Sequence, residues 1–310
     1  MAFNVAALSA YIEDQDFPLV AKMQATGGLS DIADIQVGLK GSSNLQYLNT
    51  NVVFAADACT RVTSDTSTFS QRTITVGAIQ AGEDLCIKNL NGYWTQTMVK
   101  QGCAGENEMP AEIESVWLAD KMNTIQNALD VADWQGDLLS ATNNLSYYDG
   151  FLVHIDAASF VDGNPTAITV VTGITVTNVI GILQGIWLLI PENILAAEDL
   201  SIFLGNDTYR LYVNALINAN LFHFIGEDGI SKLHGTNVSI RPMVGLTGTD
   251  RLIATRNSNL VIGMDGASDE DELTVRLDPV TGKKMLFDVC FKRGTQIRFA
   301  DEGVEFTLVP

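Results

Sequence analysis

The sequence predicts an α+β fold organised around one long helix. Three observations carry that prediction. Residues 46–106 are polar and strand-prone, with few large apolar side chains. Glu108 to Leu139 is a long amphipathic pattern ending in Trp134-Gln135-Gly136-Asp137. Beyond it, strand-like and helix-like stretches alternate over about 155–260, and the pattern from Ile262 onward is nearly all β.

Residues 1–45 read as an irregular arm with one short helical candidate. Ser30 can cap it, Asp31 suits its first turn, and Ile32, Ile35 and Leu39 fall near helical spacing, with Gly41-Ser42-Ser43 as the stop. In 46–106, Asn51-Val52-Val53-Phe54, Ile74-Thr75-Val76 and Leu85-Cys86-Ile87 are strand candidates. They surround a polar tip, Thr63-Ser64-Asp65-Thr66-Ser67-Thr68, and are punctuated by Gly77, Gly82 and Gly92. A strand pair of this composition cannot bury much of itself. It is either disordered or laid on a partner.

The long helix begins with Glu108, Glu112 and Glu114, where the macrodipole favours negative charge, and with Pro110, which suits a first turn. Leu118, Met122, Ile125, Leu129 and Ala132 form one stripe at helical spacing, and Gly136 is the stop. At 1.5 Å per residue, about 28 residues give roughly 42 Å, longer than an average globular helix. Tyr147-Tyr148-Asp149-Gly150-Phe151-Leu152-Val153 then suggests a turn into a strand. Ile168 to Val176 reads as another strand. Thr177 can cap a helix over Val179 to Ile190, stopped by Pro191. Ile202-Phe203-Leu204 is a short buried strand, and Asp207 can cap a helix carrying Leu211, Tyr212, Ala215, Leu216 and Ala219. Leu273–Leu277 and Met285–Phe291 alternate around the turn Asp278-Pro279-Val280-Thr281-Gly282, a hairpin signature.

Composition narrows the functional classes. The chain has 310 residues, of which 46% are hydrophobic and only 18% charged, so it is globular. Its formal charge of −19 opposes a role in gripping nucleic acid, which needs clustered Lys and Arg. A container for nucleic acid is compatible with it, as is plain solubility through charge. Cys59, Cys86, Cys103 and Cys290 are scattered without a C-x-x-C pair and are expected as reduced thiols. The N-terminus lacks a basic region before an apolar run, so no secretory signal is expected. The most apolar segment, Val179 to Ile190, is shorter than the about 20 residues that span a bilayer, so no membrane partner is expected.

No catalytic apparatus emerges. Gly77 to Gly82 has phosphate-loop spacing, but Glu83 stands where Lys is required and would repel phosphate. There is no G-x-S-x-G elbow and no H-E-x-x-H. His154, His223 and His234 lack metal-ligand spacing. The acidic run Asp265 to Glu272 lacks the periodicity of a calcium loop and reads as a solvated inter-strand loop. Lys88 and Lys100 lie near the arm, but nothing selects an isopeptide-forming trio around them. The expectation is a non-enzyme, with no catalytic, cofactor-binding or metal residues and no cofactor.

At this point the residues resemble a family. The order of elements, the stretch Asn127-Ala128-Leu129-Asp130-Val131-Ala132-Asp133-Trp134-Gln135-Gly136-Asp137, and Tyr148-Asp149-Gly150-Phe151 are part of the likeness. So are Val244-Gly245-Leu246-Thr247-Gly248-Thr249-Asp250-Arg251-Leu252-Ile253-Ala254-Thr255 and Asn259-Leu260-Val261-Ile262-Gly263-Met264-Asp265. Together they resemble the major capsid protein of tailed bacteriophages, the Hong Kong 97-type fold, and look like its Bacteroidetes-phage branch. The likeness covers most of 46–310 and rests on combination and order.

The resemblance implies an N-terminal arm at 1–45 and an extended β-hairpin E-loop at 46–106, lying across a neighbouring subunit. The spine helix and start of the peripheral (P) domain fall at 107–154, a mixed α/β axial (A) domain at 155–261, and P-domain strands at 262–310. It implies self-assembly into hexamers and pentamers of an icosahedral shell that packages double-stranded DNA without sequence-specific binding, built in the host cytoplasm and ending in the virion. Scaffolding, portal and decoration proteins are the further partners it implies. No long coiled-coil stretch precedes the arm, so a separate scaffold, or none, is expected in place of a cleaved internal one. The inter-subunit contact candidates are Trp94, Trp117, Trp134, Thr63 and Asp65, with Lys283, Lys284, Lys292 and Arg293 pairing with acidic neighbours. Each tryptophan serves equally well as core, and the basic group equally well as a solvated strand end. Two other readings stay open: another β-rich virion component, tail or fibre-associated, and an enzyme with a carboxylate site that follows no motif.

Overall fold

The structure is a computed structural model that describes residues 28–52, 54, 66–86, 111–158, 160–164, 167–220, 231–266, 272–278 and 284–310. In chain order its strands begin with β1 (Asp34–Gln36), β2 (Ser42–Asn51), β3 (Thr66–Thr75) and β4 (Gly77–Cys86). Helices α1 (Ala111–Gln135) and α2 (Phe151–Ala158) follow, then β5 (Val161–Asp162), α3 (Val179–Leu189), α4 (Glu192–Leu195), β6 (Leu200–Gly205) and α5 (Asn206–Asn218). The remainder is β7 (Ser231–Lys232), β8 (Ser239–Met243), β9 (Leu252–Arg256), β10 (Leu260–Met264), β11 (Glu272–Leu277), β12 (Lys284–Ile297) and β13 (Val304–Phe306).

Three sheets organise these elements. One runs β1-β10-β12-β11, with β4 also paired to β12; a second runs β5-β13-β9-β6-β8-β7; β2 and β3 form a hairpin of their own. Strand β12 is the longest, and its alternation turns Met285, Phe287, Val289 and Phe291 inward. The stripe of α1 lies on that face. Met122 and Leu129 are buried there, with Trp117, Leu118 and Ile125 packed alongside. The helix stops as expected at Gly136, whose N–H bonds the Ala132 carbonyl at 2.8 Å. Glycine is required there, because a Cβ would stand 2.6 Å from the Tyr148 carbonyl oxygen.

The six-stranded sheet is buried on both faces. Leu200, Ile202 and Leu204 of β6 join α3 and α5 in one core. Phe203, between them in sequence, points the other way, into a core shared with Trp134, Phe151, Leu260, Ile262 and Ile297. This second core joins the end of α1 to both large sheets. The hairpin β11–β12 has the expected antiparallel register, Leu277 opposite Met285; its turn at 279–283 lies outside the described residues.

Five local expectations are corrected. Residues 30–33 belong to a tight turn leading into β1, which pairs in parallel with β10, Ile35 opposite Ile262. Sheet pairing there overrides the weak helical spacing. Phe151–Ala158 is a helix, because Phe151, Leu152 and Ile155 together fill the central core; an apolar run this short does not distinguish strand from helix by itself. Residues 168–176 are turns with a single bridge, Thr169 opposite Val309. The side chain of Asn164 directs them by bonding Ile168 through both its amide groups. Helix α3 begins after Asn178 rather than Thr177, and Asp207 lies inside the first turn of α5, accepting from the N–H groups of Thr208 and Gly248 at 2.9 Å each.

Candidate assembly surface

The hairpin β2–β3 projects from the body. Its ten register pairs run from Ser42 opposite Thr75 to Asn51 opposite Thr66. Its base is anchored: Leu45 and Ile74 are buried against Val261, Tyr47 meets Phe299 edge-on at 5.4 Å, and Gln296 Nε2 donates to the Thr73 carbonyl at 2.7 Å. Farther out, none of the described residues covers it. Leu48 and Phe69 face each other across the strands with 53% and 83% of their surface exposed. Phe54, just past the end of β2, is 95% exposed. Across both strands the only formal charge is Arg72. An exposed strand pair without Lys or Pro protection is a surface that another chain can cover.

A second feature is an apolar groove of about 210 Å³ between α1 and β4, lined by Ile79, Ala81, Ile125, Leu129, Tyr147 and Phe291 among others. Leu139, in the loop after α1, is also exposed.

The expected contact residues distribute unevenly. Thr63, Asp65, Trp94 and Lys283 lie outside the described residues. Trp117 is half-buried on the five-stranded sheet, its ring edge-on to Phe287 at 5.5 Å. Trp134 is fully buried between Phe151 and Phe203, at 5.5 and 5.6 Å; it is core, which corrects its place among contact candidates. Lys284 pairs with Asp84 on the adjacent strand at 3.1 Å. Lys292 lies 3.5 Å from the buried Asp265 and donates to the Lys40 carbonyl at 3.1 Å. These lysines are engaged within their own chain.

Arg293 is the clearest correction. It is 1% exposed and holds Asp133 with two bonds, Nε to Oδ1 at 2.9 Å and Nη2 to Oδ2 at 2.6 Å. Its Nη2 also donates to Ser30 Oγ at 2.7 Å, and the Tyr148 hydroxyl donates to Asp133 Oδ1 at 2.7 Å. Burial alone would lower the Arg293 pKa, but the Asp133 carboxylate outweighs it and holds the guanidinium above its ordinary range. Burial, and then Asp133, push the Tyr148 phenol well above its ordinary value. The network ties the turn at Ser30, the helix α1, the loop after it and β12 to one point. Its signal was present in the sequence: Arg293 has the same parity as Phe287, Val289 and Phe291, the inward set.

Among the described residues, no group of three or more His, Cys, Asp or Glu side chains could hold a metal ion, and no helix is long and apolar enough to cross a membrane.

No protein-family model matches the sequence, and no curated protein matches it. Solved structures do. A chain of the satellite phage P4 procapsid, which includes the size determination protein, is similar over 94% of this chain and 90% of that one, at 11% identity and a TM-score of 0.64. A capsid chain of an empty GTA particle matches over 91% and 90%, with 13% identity and a TM-score of 0.57. The capsid of Myoviridae phage XM1 matches over 89% and 90%, with 12% identity and a TM-score of 0.54. On these likenesses over most of its length, the protein has the α+β, Hong Kong 97-type capsid fold.

Proposed function

We propose that this chain is a capsid shell protein, working by self-association and not by chemistry. The observation that carries the reading is the hairpin β2–β3, whose outer half exposes Leu48 and Phe69 among the described residues. The fold it shares with phage capsid chains supplies the context. A protruding finger and the separate faces it must meet are different surfaces, so the contact is heterologous and generates rings or closed shells. On this reading 46–106 is the E-loop laid on a neighbour, 107–154 contains the spine helix, 155–261 is the axial domain and 262–310 the peripheral strands. Subunits form hexamers and pentamers around double-stranded DNA, which the net negative chain contains without gripping. The product is the virion shell, assembled in the host cytoplasm, with scaffolding, portal and decoration proteins as further partners.

Negative-stain electron microscopy with light scattering tests it. The purified chain, alone or co-expressed with its neighbouring virion genes, is expected to give closed shells or rings of five and six. Leu48→Asp/Phe69→Asp is expected to abolish them while leaving the unfolding midpoint of the subunit unchanged, since both residues are exposed. Normal shells from that variant would remove the hairpin from the assembly contact.

A further inference from the structure

The six-stranded sheet carries opposite charges toward its two edges, on one face. A single row of paired positions crosses it: Asp162 of β5, Glu305 of β13, Ile253 of β9, Phe203 of β6 and Arg241 of β8. Ile253 and Phe203 lie in the central core. Val304 and Phe306, on either side of Glu305, turn to the opposite core, so the whole row points one way. At its acidic end, Glu305 shares the Arg251 guanidinium with Asp156 of α2. Asp162 is exposed; its Oδ1 accepts the Asn164 N–H at 2.9 Å, and among the described residues no cation pairs with it. A hollow of about 390 Å³ opens there, lined by Asp156, Asp162, Glu305 and Thr307 among others. At the basic end, Arg241 Nε donates to the Ser201 hydroxyl at 3.1 Å. Lys232 of β7, placed on the same face by its pairing with Ser239, donates to the Asn237 side-chain oxygen at 2.9 Å. Among the described residues neither cation meets a carboxylate, although the chain has 37 acidic residues against 18 basic ones. Successive strand spacings of about 4.8 Å put Asp162 and Arg241 roughly 19 Å apart, too far to pair within one copy.

We propose that these two edges meet between copies: Arg241 and Lys232 of one subunit enter the acidic hollow at Asp162 of the next. The contact rests on the capsid reading and adds to it which edges of the sheet face each other. A second copy is the occupant that the row itself supplies, because each chain carries both halves of the pairing. The planar guanidinium of Arg241 suits a carboxylate held in a hollow. Two different edges in contact make a heterologous interface, which closes into a ring when it repeats around an axis. The edge strands β5 and β7 have 2 residues each, and edges so short leave little backbone for strand-to-strand pairing. Side chains therefore make the contact. Ion pairs between subunits set register and partner more than affinity, so these edges select how copies line up, beside the contact made by the hairpin.

Charge reversal on the full-length chain tests it, with rings and shells counted by electron microscopy and light scattering. Arg241→Glu is expected to cut their yield by at least about tenfold, since like charges then face each other across the contact. Asp162→Lys is expected to do the same. Joining both changes in one chain restores the complement and is expected to recover assembly. Mixing the two single variants gives a sharper signature: each contact then forms only between unlike chains, so only rings with an even number of subunits can close. Hexamers without pentamers are the expected product. Where Arg241→Glu lowers the unfolding midpoint of the subunit, Lys232→Glu, at an exposed side chain, takes its place. Normal shells from these reversals, or no recovery in either the double variant or the mixture, would overturn the edge contact and leave the capsid reading standing. A wild-type chain that forms neither rings nor shells, alone or with its neighbouring virion genes, would overturn both.

Discussion

Arg293 shows how one side chain can serve four segments. Removing it would leave Asp133 as a fully buried carboxylate beside the Tyr148 hydroxyl that donates to it, and breaking a buried pair from one side costs about 3–5 kcal/mol. Arg293→Met should therefore lower stability by about that amount in chemical denaturation, and Asp133→Leu/Arg293→Met should recover most of it, because an apolar pair carries no orphaned charge. A single variant losing less than about 1 kcal/mol would mean that the carboxylate finds water. Tyr148 gives a pH signature. Its phenol stays protonated in the fold above the pH at which an unfolded tyrosine ionises, so the unfolded chain binds fewer protons and stability falls as pH rises past about 10. Tyr148→Phe should flatten that alkaline decline, as read by denaturant midpoints at about pH 8 to about pH 11. At this scale the sequence was half legible. The parity of β12 placed Arg293 inward, but its partner Asp133 lies 160 positions away, and no local pattern pairs them.

The long helix was the most legible element, because its stripe repeats over many turns and one face meets one sheet. Leu129 is a good probe of that seam: Leu129→Ala should cost about 2–5 kcal/mol through lost burial and the cavity left against β12. Thermal unfolding monitored by circular dichroism would measure it, and a cost under about 1 kcal/mol would show that the adjoining groove lets the seat collapse. Gly150 tests the junction after the helix. A Cβ there would lie 2.6 Å from the Trp134 carbonyl oxygen and 2.7 Å from the Gly136 nitrogen. Both neighbours are backbone that cannot rotate away, so Gly150→Ala should destabilise the subunit, unlike a change at Gly181, where nothing lies within 4 Å. The short elements were illegible for a physical reason. Phe151–Ala158 and 168–176 take their conformations from the central core and from Asn164, tertiary partners that outvote local propensity over so few residues.

For the whole molecule, the order of arm, helix, mixed body and β-rich tail was readable. Sheet membership was not: β10 follows β9 almost directly, yet the two belong to different sheets. On the proposed reading, assembly works against self-repulsion, since every copy carries a formal charge of −19. Raising ionic strength from about 0.01 M toward about 0.15 M shortens the Debye length from about 30 Å to about 8 Å. The yield of shells in light scattering should rise with salt over that range; a fall would indicate that ion pairs between copies dominate the contact. One strand closes the core late in synthesis. Val304 and Phe306 of β13 sit in the core between β5 and β9, yet the ribosome makes them long after the strand they must join. While the chain is being synthesised, β9 offers a bare edge and the core beside it lies open. On the proposed reading, a subunit becomes competent to build only once this closing strand has emerged and sealed the core beside β9.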